Sequence, residues 1–238
     1  MNDDDRSAPA AAARRGRPPL PADNETRERI LAAAQRLFGE RSFTQVNVRE
    51  ITEAAGVGLA AVNYHFGSKD GLVQALFTRA APALIAERAA LLQAALAMDD
   101  SRERKLAAVV RALIGPVIRW SALPETQHYY VPFLARVRLD GPEPVRRMLE
   151  GEAAYLQPFV AALGALLPGL PLAEVQWRLH FILGIEHALH NEARRLQAVS
   201  GGACDLSDPE AVIDRVVEFV MPGLLAPSPA GQGAVIGS

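Results

Sequence analysis

The sequence lacks the residues that many cofactor sites require. It has a single cysteine, Cys204, which excludes an internal disulfide and any metal site built from several thiolates. It also has little net charge, −2 at pH 7. The chain as a whole therefore does not attract nucleic acid or membrane, and any polyanion site must come from local clustering of charge. We expect no bound metal and no cofactor.

No apolar stretch is long enough to cross a membrane. The longest, around residues 159 to 173, is interrupted by Pro168, Gly169 and Pro171. The first 19 residues are acidic, then small, then basic, and they contain no apolar core of the length that a signal peptide requires. We therefore expect a cytoplasmic protein with no membrane partner.

The composition changes at both ends of the chain. Residues 1–23 are rich in Ala, Pro, Asp and Arg without periodicity, which predicts a disordered arm, and the Gly/Pro/Ser-rich residues 222–238 predict a flexible tail. Between them apolar residues recur at helical spacing, as at Ile30, Ala34 and Leu37 of a first helix. No segment alternates convincingly as a strand does, so the pattern predicts an all-α fold.

Two short helices joined by a glycine turn are predicted next. Asn47 is a good N-cap, and Glu50 three residues later completes a capping-box pattern. Gly56 is expected to end the second helix of the chain, and residues 59–64 form barely two turns of a third. This arrangement is typical of a helix-turn-helix.

A long fourth helix is predicted to begin after Ser68, which caps it, with Asp70 in its first turn where the helix dipole favours an anion. We expect it to run to about residue 97 with a kink at Pro82, because proline cannot donate a hydrogen bond to the carbonyl of Thr78. Further amphipathic segments are predicted at about residues 101–119, 124–139, 142–166, 172–198 and 208–221.

The stretch from Val48 to Leu72, VREITEAAGVGLAAVNYHFGSKDGL, resembles the DNA-binding signature of the TetR family of bacterial repressors. That signature combines an isoleucine, an Ala-Gly-Val turn, a His-Phe pair and a Ser-Lys helix start. The matching residues are Ile51, Ala55, Gly56, Val57, His65, Phe66, Ser68 and Lys69. The chain departs at one position, with Asn63 where the family usually has tyrosine and Tyr64 next to it.

The resemblance implies two functional parts. Residues 24–70 would form a helix-turn-helix DNA-binding domain, and residues 71–221 an all-helical ligand-binding and dimerisation domain. The expected partners are a double-stranded DNA operator, a small apolar effector and a second copy of the chain. The segments LAAVNYHFGSKDGLVQALF and WRLHFILG are similar to the PsrA-type subgroup, which implies a response to long-chain fatty acids.

Small side chains allow a recognition helix to approach the floor of a major groove. By resemblance, the residues that read bases are Arg49, Leu59, Ala60, Ala61 and Asn63. The residues expected at phosphates are Asn47, Tyr64, His65 and Lys69. Arg49 suits a bidentate contact with guanine, and the charge of Lys69 near a helix N-terminus suits an anion.

Two further elements have open interpretations. His65 is either a wedge that holds the turn or a phosphate contact, and catalysis is disfavoured because no nucleophile or carboxylate lies beside it in the local sequence. In the arm, Arg15 and Arg17 flank a glycine and precede Pro18, a pattern similar to minor-groove hooks. The alternative for the arm is a solvated basic linker.

A lipid effector requires an apolar tunnel with one polar end. The candidate lining residues are Trp120, Tyr129, Tyr130, Phe133, Tyr155 and Phe159, and the arginines available for a carboxylate are Arg119, Arg136 and Arg138. For each of them the simpler alternative is an aromatic residue of the core or an arginine on a solvated face.

One helix carries several histidines close together. Glu186, His187 and His190 have spacings that would bring them near one metal ion. The resemblance to the TetR family implies that the last two long helices pair across a two-fold axis. We favour this alternative, with His180 and His187 at the dimer interface and Phe219 on the second interface helix.

Three classes of function remain at this stage. The favoured one is a homodimeric, ligand-released repressor, with activation as an open variant. The second is a DNA-architectural protein without an effector. The third, an enzyme, is disfavoured because the sequence has neither a phosphate loop nor a nucleophile elbow.

Overall fold

The structure is a computed structural model that describes residues 21–123 and 129–228, apart from the side chains at 21, 22 and 149–153. Within those ranges every regular element is helical and no strand occurs, which confirms the all-α prediction. The predicted arm with Arg15 and Arg17, and the end of the predicted tail, lie outside the described residues.

Four helices form the N-terminal part: α1 (Pro21–Glu40), α2 (Val48–Ala55), α3 (Ala60–Phe66) and α4 (Lys69–Ala97). The predicted capping box is confirmed, because the backbone N–H of Glu50 donates to Asn47 Oδ1 at 3.0 Å and that of Asn47 donates to Glu50 Oε2 at 2.9 Å. The backbone N–H of Gly71 donates to Ser68 Oγ at 3.0 Å, which confirms the cap of α4. Short-range hydrogen bonds therefore set the start of both helices.

Gly56 closes α2 in the left-handed conformation, with φ 64°. Its N–H and that of Val57 donate back to carbonyls of the last turn of α2. A residue that has a Cβ rarely adopts this backbone φ angle, so glycine makes the sharp turn between α2 and α3 possible. The turn then holds the two helices at a fixed angle.

The remaining helices are α5 (Arg102–Ala122), α6 (Tyr130–Asp140), α7 (Glu143–Gly151), a 3₁₀ turn (Glu152–Leu156), α8 (Gln157–Leu166), α9 (Leu172–Asn191), α10 (Ala193–Ser200) and α11 (Pro209–Leu225). Two segments expected as single helices are divided, 142–166 by the 3₁₀ turn and 172–198 at Glu192. Pro158 lies in the first turn of α8, where its missing N–H is tolerated. A proline there favours a new helix start over continuation of α7.

The last helix was expected to end at residue 221, but it includes Pro222 and runs four residues further, to Leu225. The guanidinium of the buried Arg178 donates to the carbonyls of Leu224 at 2.7 Å and Ala226 at 2.9 Å. Carbonyls at a helix C-terminus lack intrahelical partners, and a cation there stabilises them. A contact with α9 therefore determines where α11 ends.

Two apolar clusters form the core. The first joins α1, α2, α3 and the first half of α4 to α6, and the second joins the second half of α4 to α5, α8, α9 and α11. The boundary expected at residues 70 and 71 falls in the first turn of α4, and the first cluster continues across it. Helix α4 belongs to both clusters, so it mechanically connects the two parts of the molecule.

The expectation that no apolar stretch is long enough to cross a membrane was wrong for α4, which among the described helices meets that criterion by length and composition alone. This helix contains Pro82 and the buried Arg88, and both of its halves pack into protein cores. Its buried apolar residues are therefore core residues, and much of the rest of its apolar composition is exposed alanine.

Candidate nucleic-acid interface and interior cavity

An exposed face follows the start of α2 and the length of α3. Arg49 is 80% exposed in its side chain and Tyr64 is 75% exposed overall, and Leu59, Ala60 and Asn63 are exposed with them. Ala61 is half-buried and packs against the first core cluster. The structure thus brings the base-reading candidates to one surface, with Ala61 at its inner edge.

The opposite sides of these two helices are buried. Ile51 and Ala55 of α2 and Val62 of α3 lie in the first core cluster. Phe66 packs there too, with the guanidinium carbon of Arg27 on α1 at 5.4 Å from its ring centroid. Packing against α1 therefore fixes the rotation of α3, and this rotation determines which side chains face outward.

His65 lies on the inner side of α3. Its side chain is only 8% exposed, and Nε2 lies 3.5 Å from Asp23 Oδ1 on α1. Its ring contacts those of Tyr64 and Phe66 with centroids 4.9 and 6.0 Å apart. Of the two open interpretations, this placement supports a wedge between α3 and α1 more than a phosphate contact.

Lys69 is half-buried, and its ammonium donates to the carbonyl of Phe43 in the α1–α2 connection. Partial burial lowers the pKa of Lys69, although the negative charges of Asp70, Asp140 and Glu50 act to raise it. The backbone N–H of Phe43 donates to Asp140 Oδ2 at 3.1 Å, at the end of α6. Lys69 and Asp140 together fasten this connection to α4 and α6.

The outer face has the chemistry needed to contact a nucleic acid. A helix of seven residues with alanine and asparagine outward can enter a major groove, which is about 12 Å wide. Arg49 Nε donates to Glu53 Oε1 at 2.8 Å across one exposed helical turn. Exposed ion pairs of this kind contribute little stability, so the guanidinium is free to exchange Glu53 for a base edge.

A second candidate site is an interior cavity between α4, α5, α6 and α9, with about 40 Å³ of free space. Its apolar wall comes from Phe77, Ala81, Leu84, Ile85, Val117, Tyr130, Val131, Leu134 and Ala135. Its polar side comes from Arg88, Arg138, Tyr155, Glu186, His187, His190 and Asn191. This free space holds a few water molecules at most.

The predicted pocket residues divide into two groups. Tyr155, together with Tyr130 and Arg138, lines the cavity. The other candidates lie outside the cavity. Phe133 belongs to the first core cluster and Phe159 to the second, whereas Tyr129 and Arg136 are half-buried. Trp120 donates to Glu87 Oε2, and Arg119 pairs with Glu210. Helical spacing identifies an apolar face but does not show which part of that face borders a cavity.

Sequence reasoning missed the residue at the centre of the polar side. Arg88 is 4% exposed and donates to the carbonyl of Leu113 at 2.7 Å, to Tyr155 Oη at 3.0 Å and to Glu186 Oε2 at 2.9 Å. A signal was present, because Arg88 falls on the buried stripe of α4 between Leu84 and Leu92. A charged residue at a core position indicates a buried polar contact.

The histidines of α9 face the cavity to different extents. His187 and His190 line it, whereas His180 is exposed beside Trp177, with ring centroids 6.2 Å apart. His190 Nδ1 lies 3.0 Å from Ser121 Oγ, and Glu186 pairs with Arg88. In the part of the chain that the structure describes, no group of three or more His, Cys, Asp or Glu residues is placed to hold a metal.

We expect acid to destabilise the fold through His190. Burial lowers the pKa of His190 to about 4, with a smaller contribution from His187. An unfolded histidine has a pKa near 6.5, so this stabilisation is complete above about pH 6.5 and is lost as the pH falls towards 4. At pH 5 the loss is about 2 kcal/mol.

Urea unfolding at pH 7 and pH 5 measures this effect. His190→Gln should reduce the difference between the two pH values by about 2 kcal/mol. The exposed His180→Gln on the same helix is the control and should retain the full difference. Equal pH dependence in wild type and His190→Gln would exclude His190 as the source.

The outer faces of α9 and α11 are apolar. Trp177 and Phe181 on α9 are about 60% exposed, and Phe219 on α11 is 75% exposed. Between the helices is an open groove of about 400 Å³, whose lining combines the apolar residues Phe181, Ile182, Ile185, Phe219, Val220 and Leu224 with the ion pair of Arg178 and Glu174. Of the predicted interface residues, His180 and Phe219 lie on this outer side, whereas His187 faces the interior cavity.

Two family models match the chain. Residues 30–76 match bacterial regulatory proteins of the tetR family, and residues 111–223 match the tetracyclin repressor-like C-terminal domain. The first region contains the exposed face of α2 and α3, and the second contains α6, α9 and all but the last two residues of α11. Both halves of the molecule are therefore covered.

The named relatives are similar over a short region. HTH-type transcriptional regulator TtgR of Pseudomonas putida is 44% identical over 52 residues, which are 22% of this chain and 25% of that protein. HTH-type transcriptional regulatory protein RaaS of Mycobacterium tuberculosis is 43% identical over 72 residues, which are 30% of this chain and 34% of that protein. The alignments thus span well under half the length of either relative.

Solved structures are similar over most of the chain. NalD, the secondary repressor of the MexAB-OprM multidrug efflux pump in Pseudomonas aeruginosa, has a TM-score of 0.55 at 21% identity, over 84% of this chain and 97% of that one. The fatty acid degradation regulator FadR from Bacillus halodurans has a TM-score of 0.54 at 17% identity, over 82% of this chain and 98% of that one. At these identities the likeness shows the fold.

Proposed function

Since this chain belongs to the TetR family of bacterial regulatory proteins, we propose that it is a cytoplasmic, homodimeric transcriptional repressor that a small apolar effector releases from a pseudo-palindromic operator. The family and the named relatives are transcriptional regulators and not enzymes, as the sequence led us to expect. The observation that carries the proposal is the exposed α2–α3 face joined by one helix, α4, to an interior cavity.

The DNA-binding part of the proposal rests on the outer face of α2 and α3. Leu59 and Ala60 can contact thymine methyl groups, and Asn63 offers both a donor and an acceptor. Tyr64 is exposed next to Asn63 and can take the backbone contact of the tyrosine that the family usually has at position 63. Lys69 would have to leave the carbonyl of Phe43 to reach a phosphate, so its contribution depends on movement of the α1–α2 connection.

Replacing Arg49 with alanine should reduce operator affinity by about 1–3 kcal/mol and relax the preference at one base pair, because a bidentate guanine contact is lost. Fluorescence anisotropy with operators mutated one base pair at a time measures both effects. The control is Arg104→Ala, which removes another exposed arginine with a carboxylate partner, Asp100, away from this face. Unchanged base preference in Arg49→Ala would rule out this role.

Dimerisation is proposed through the outer faces of α9 and α11. Trp177, Phe181 and Phe219 are large, exposed and adjacent, and each aromatic side chain buries about 150–250 Å² in a packed interface. An isologous contact would place two α3 helices in successive major grooves. His180 lies beside Trp177 and would be covered by the same contact.

The effector is proposed to enter the interior cavity. The apolar wall fits a hydrocarbon body and the polar side fits a head group, which is the chemistry of a long-chain fatty acid or its acyl-CoA ester. The fatty acid degradation regulator FadR from Bacillus halodurans and a Clostridium perfringens putative fatty acid metabolism regulator have the same fold and are connected with fatty acids. The cavity must expand for such a ligand, because its free space is about 40 Å³.

The proposed coupling runs through α4. Phe77 and Ala81 line the cavity and also belong to the core cluster that contains α1, α2 and α3. Helix α6 lines the same cavity, and its last residue, Asp140, holds the backbone of Phe43. A ligand that parts α4 from α6 would therefore move the two recognition helices of a dimer, at a coupling free energy of about 1–3 kcal/mol.

The test is binding of the purified protein to its own upstream intergenic DNA, measured by anisotropy at fixed salt and titrated with fatty acids and acyl-CoA esters. Tight, sequence-selective binding that one of these lipids weakens supports the proposal. Selective binding that none of these lipids weakens retains the DNA-binding regulator and contradicts the lipid effector. Binding without selectivity contradicts the regulator itself.

A further inference from the structure

The charges around the interior cavity do not cancel. Arg88 and Arg138 contribute two positive charges and Glu186 one negative charge. Burial, and then the charges of Arg138 and Arg88, lower the pKa of His187 to about 4, so its imidazole is neutral at pH 7. The cavity therefore has one unbalanced positive charge, and an ionised ligand in a low-dielectric site needs a partner of opposite sign.

Arg88 is already arranged to hold a carboxylate. Its guanidinium is fixed by the carbonyl of Leu113 and the hydroxyl of Tyr155, and it lies 5.3 Å from the Tyr155 ring centroid. The remaining edge of the guanidinium contacts Glu186, because Arg88 Nη2 donates to Glu186 Oε2 at 2.9 Å. Glu186 thus occupies the position that a ligand carboxylate would take on this arginine.

The pair is exchangeable on energetic grounds. Burial raises the pKa of Glu186, and the opposing effect of Arg88 and Arg138 is smaller, so desolvation costs the ionised carboxylate more than the arginines return. A buried ion pair of this kind contributes little net stability while both partners are present. A second carboxylate can therefore replace Glu186 on Arg88 without a large loss of free energy.

Building on the proposed function, we propose that the effector is an amphipathic carboxylate whose head group displaces Glu186 from Arg88 while its apolar body lies against α4 and α6. Glu186 then pairs with Arg138 at the exposed mouth of the cavity. With the ligand bound, the ligand carboxylate and Glu186 balance the charges of Arg88 and Arg138, so the unbalanced positive charge of the empty cavity is neutralised. Glu186 therefore competes with the effector for the guanidinium of Arg88.

The exchange also explains how binding would reach the DNA-binding face. The Arg88–Glu186 bond ties α4 to α9, 98 positions apart in the chain. When a mobile ligand takes the place of Glu186, α4 loses this tie. Because the free space is small, the ligand enters only as α4 and α6 separate, so its binding favours the separated state.

Isothermal titration of the full chain with decanoate, decanol and decyltrimethylammonium tests the ligand class. Wild type should bind decanoate at least about 10-fold more tightly than decanol, equal to ~1.4 kcal/mol, and should not bind the cation. Glu186→Gln removes the competitor and should tighten decanoate binding about 5-fold or more without changing decanol binding. The matched control is Glu192→Gln, an exposed carboxylate six residues further along that does not line the cavity.

A second variant keeps the test valid if Glu186→Gln folds poorly. Arg138→Gln changes an exposed residue at the mouth and should weaken decanoate binding about 5-fold, again without changing decanol binding. Decanol or the cation binding as well as decanoate, no decanoate binding, or decanoate binding that Glu186→Gln leaves unchanged or weakens would overturn the proposal.

Anisotropy of labelled operator DNA in the same samples separates this inference from the proposed function. Selective decanoate binding that leaves the DNA complex intact supports the carboxylate site and contradicts effector release. DNA release by decanol or by the cation alone supports effector release and contradicts the carboxylate site.

Discussion

Replacing Phe219 with aspartate should convert the proposed dimer to a monomer and reduce operator affinity about 100-fold or more. Phe219 is 75% exposed on the face where α9 and α11 leave an apolar groove, and a charge there would be buried without a partner in a two-fold contact. The affinity loss follows because two linked DNA-binding heads gain about 10²–10⁴ in avidity over one.

Sedimentation equilibrium and operator titration measure the two effects on the same preparation. The control is Leu139→Asp, which introduces the same charge at a leucine that is 73% exposed on α6, away from this face. The control should stay dimeric and bind DNA normally. A dimeric Phe219→Asp protein with full operator affinity would place the interface elsewhere.

The second large effect is expected at Arg88. Its replacement with methionine keeps an unbranched apolar side chain but leaves Glu186 as a buried carboxylate without its cation, and removes the donor to the Leu113 carbonyl. Breaking one partner of a buried ion pair typically costs about 3–5 kcal/mol. We expect a loss of that size in the free energy of unfolding, measured with urea at pH 7.

The double variant Arg88→Met, Glu186→Leu should recover most of this loss, because an apolar pair of similar volume needs no charge compensation. The surface control is Arg102→Met, whose partner Glu103 is half exposed like Arg102 itself. Exposed pairs contribute about 0–1 kcal/mol, so this variant should differ little from wild type. A small effect of Arg88→Met, with no recovery in the double variant, would mean that the pair has no structural role.

The DNA-binding region was predicted from sequence in detail. Asn47, Glu50, Gly56 and Ser68 marked the helix ends, and the structure confirms the hydrogen bonds at each of them. These contacts join residues three to five positions apart, so the sequence contains both partners within one short window. The outward position of Arg49 follows from the same helical periodicity.

The sequence did not predict the breaks inside two of the helical segments. Segments 142–166 and 172–198 have helical periodicity throughout, and the structure interrupts each of them. The end of α11 depends on Arg178 of α9, which lies 46 positions from Leu224. Periodicity within one segment gives no information on a partner that far away.

The sequence by itself determined the all-helical class, the helix-turn-helix and its outward-facing side chains, because caps, turns and apolar stripes are local. Tertiary structure alone decided that Arg88 meets Glu186, that His187 faces a cavity, and that His65 turns inward to Asp23. Each of these depends on how one helix is rotated against another, and that rotation is set by packing among segments far apart in the chain.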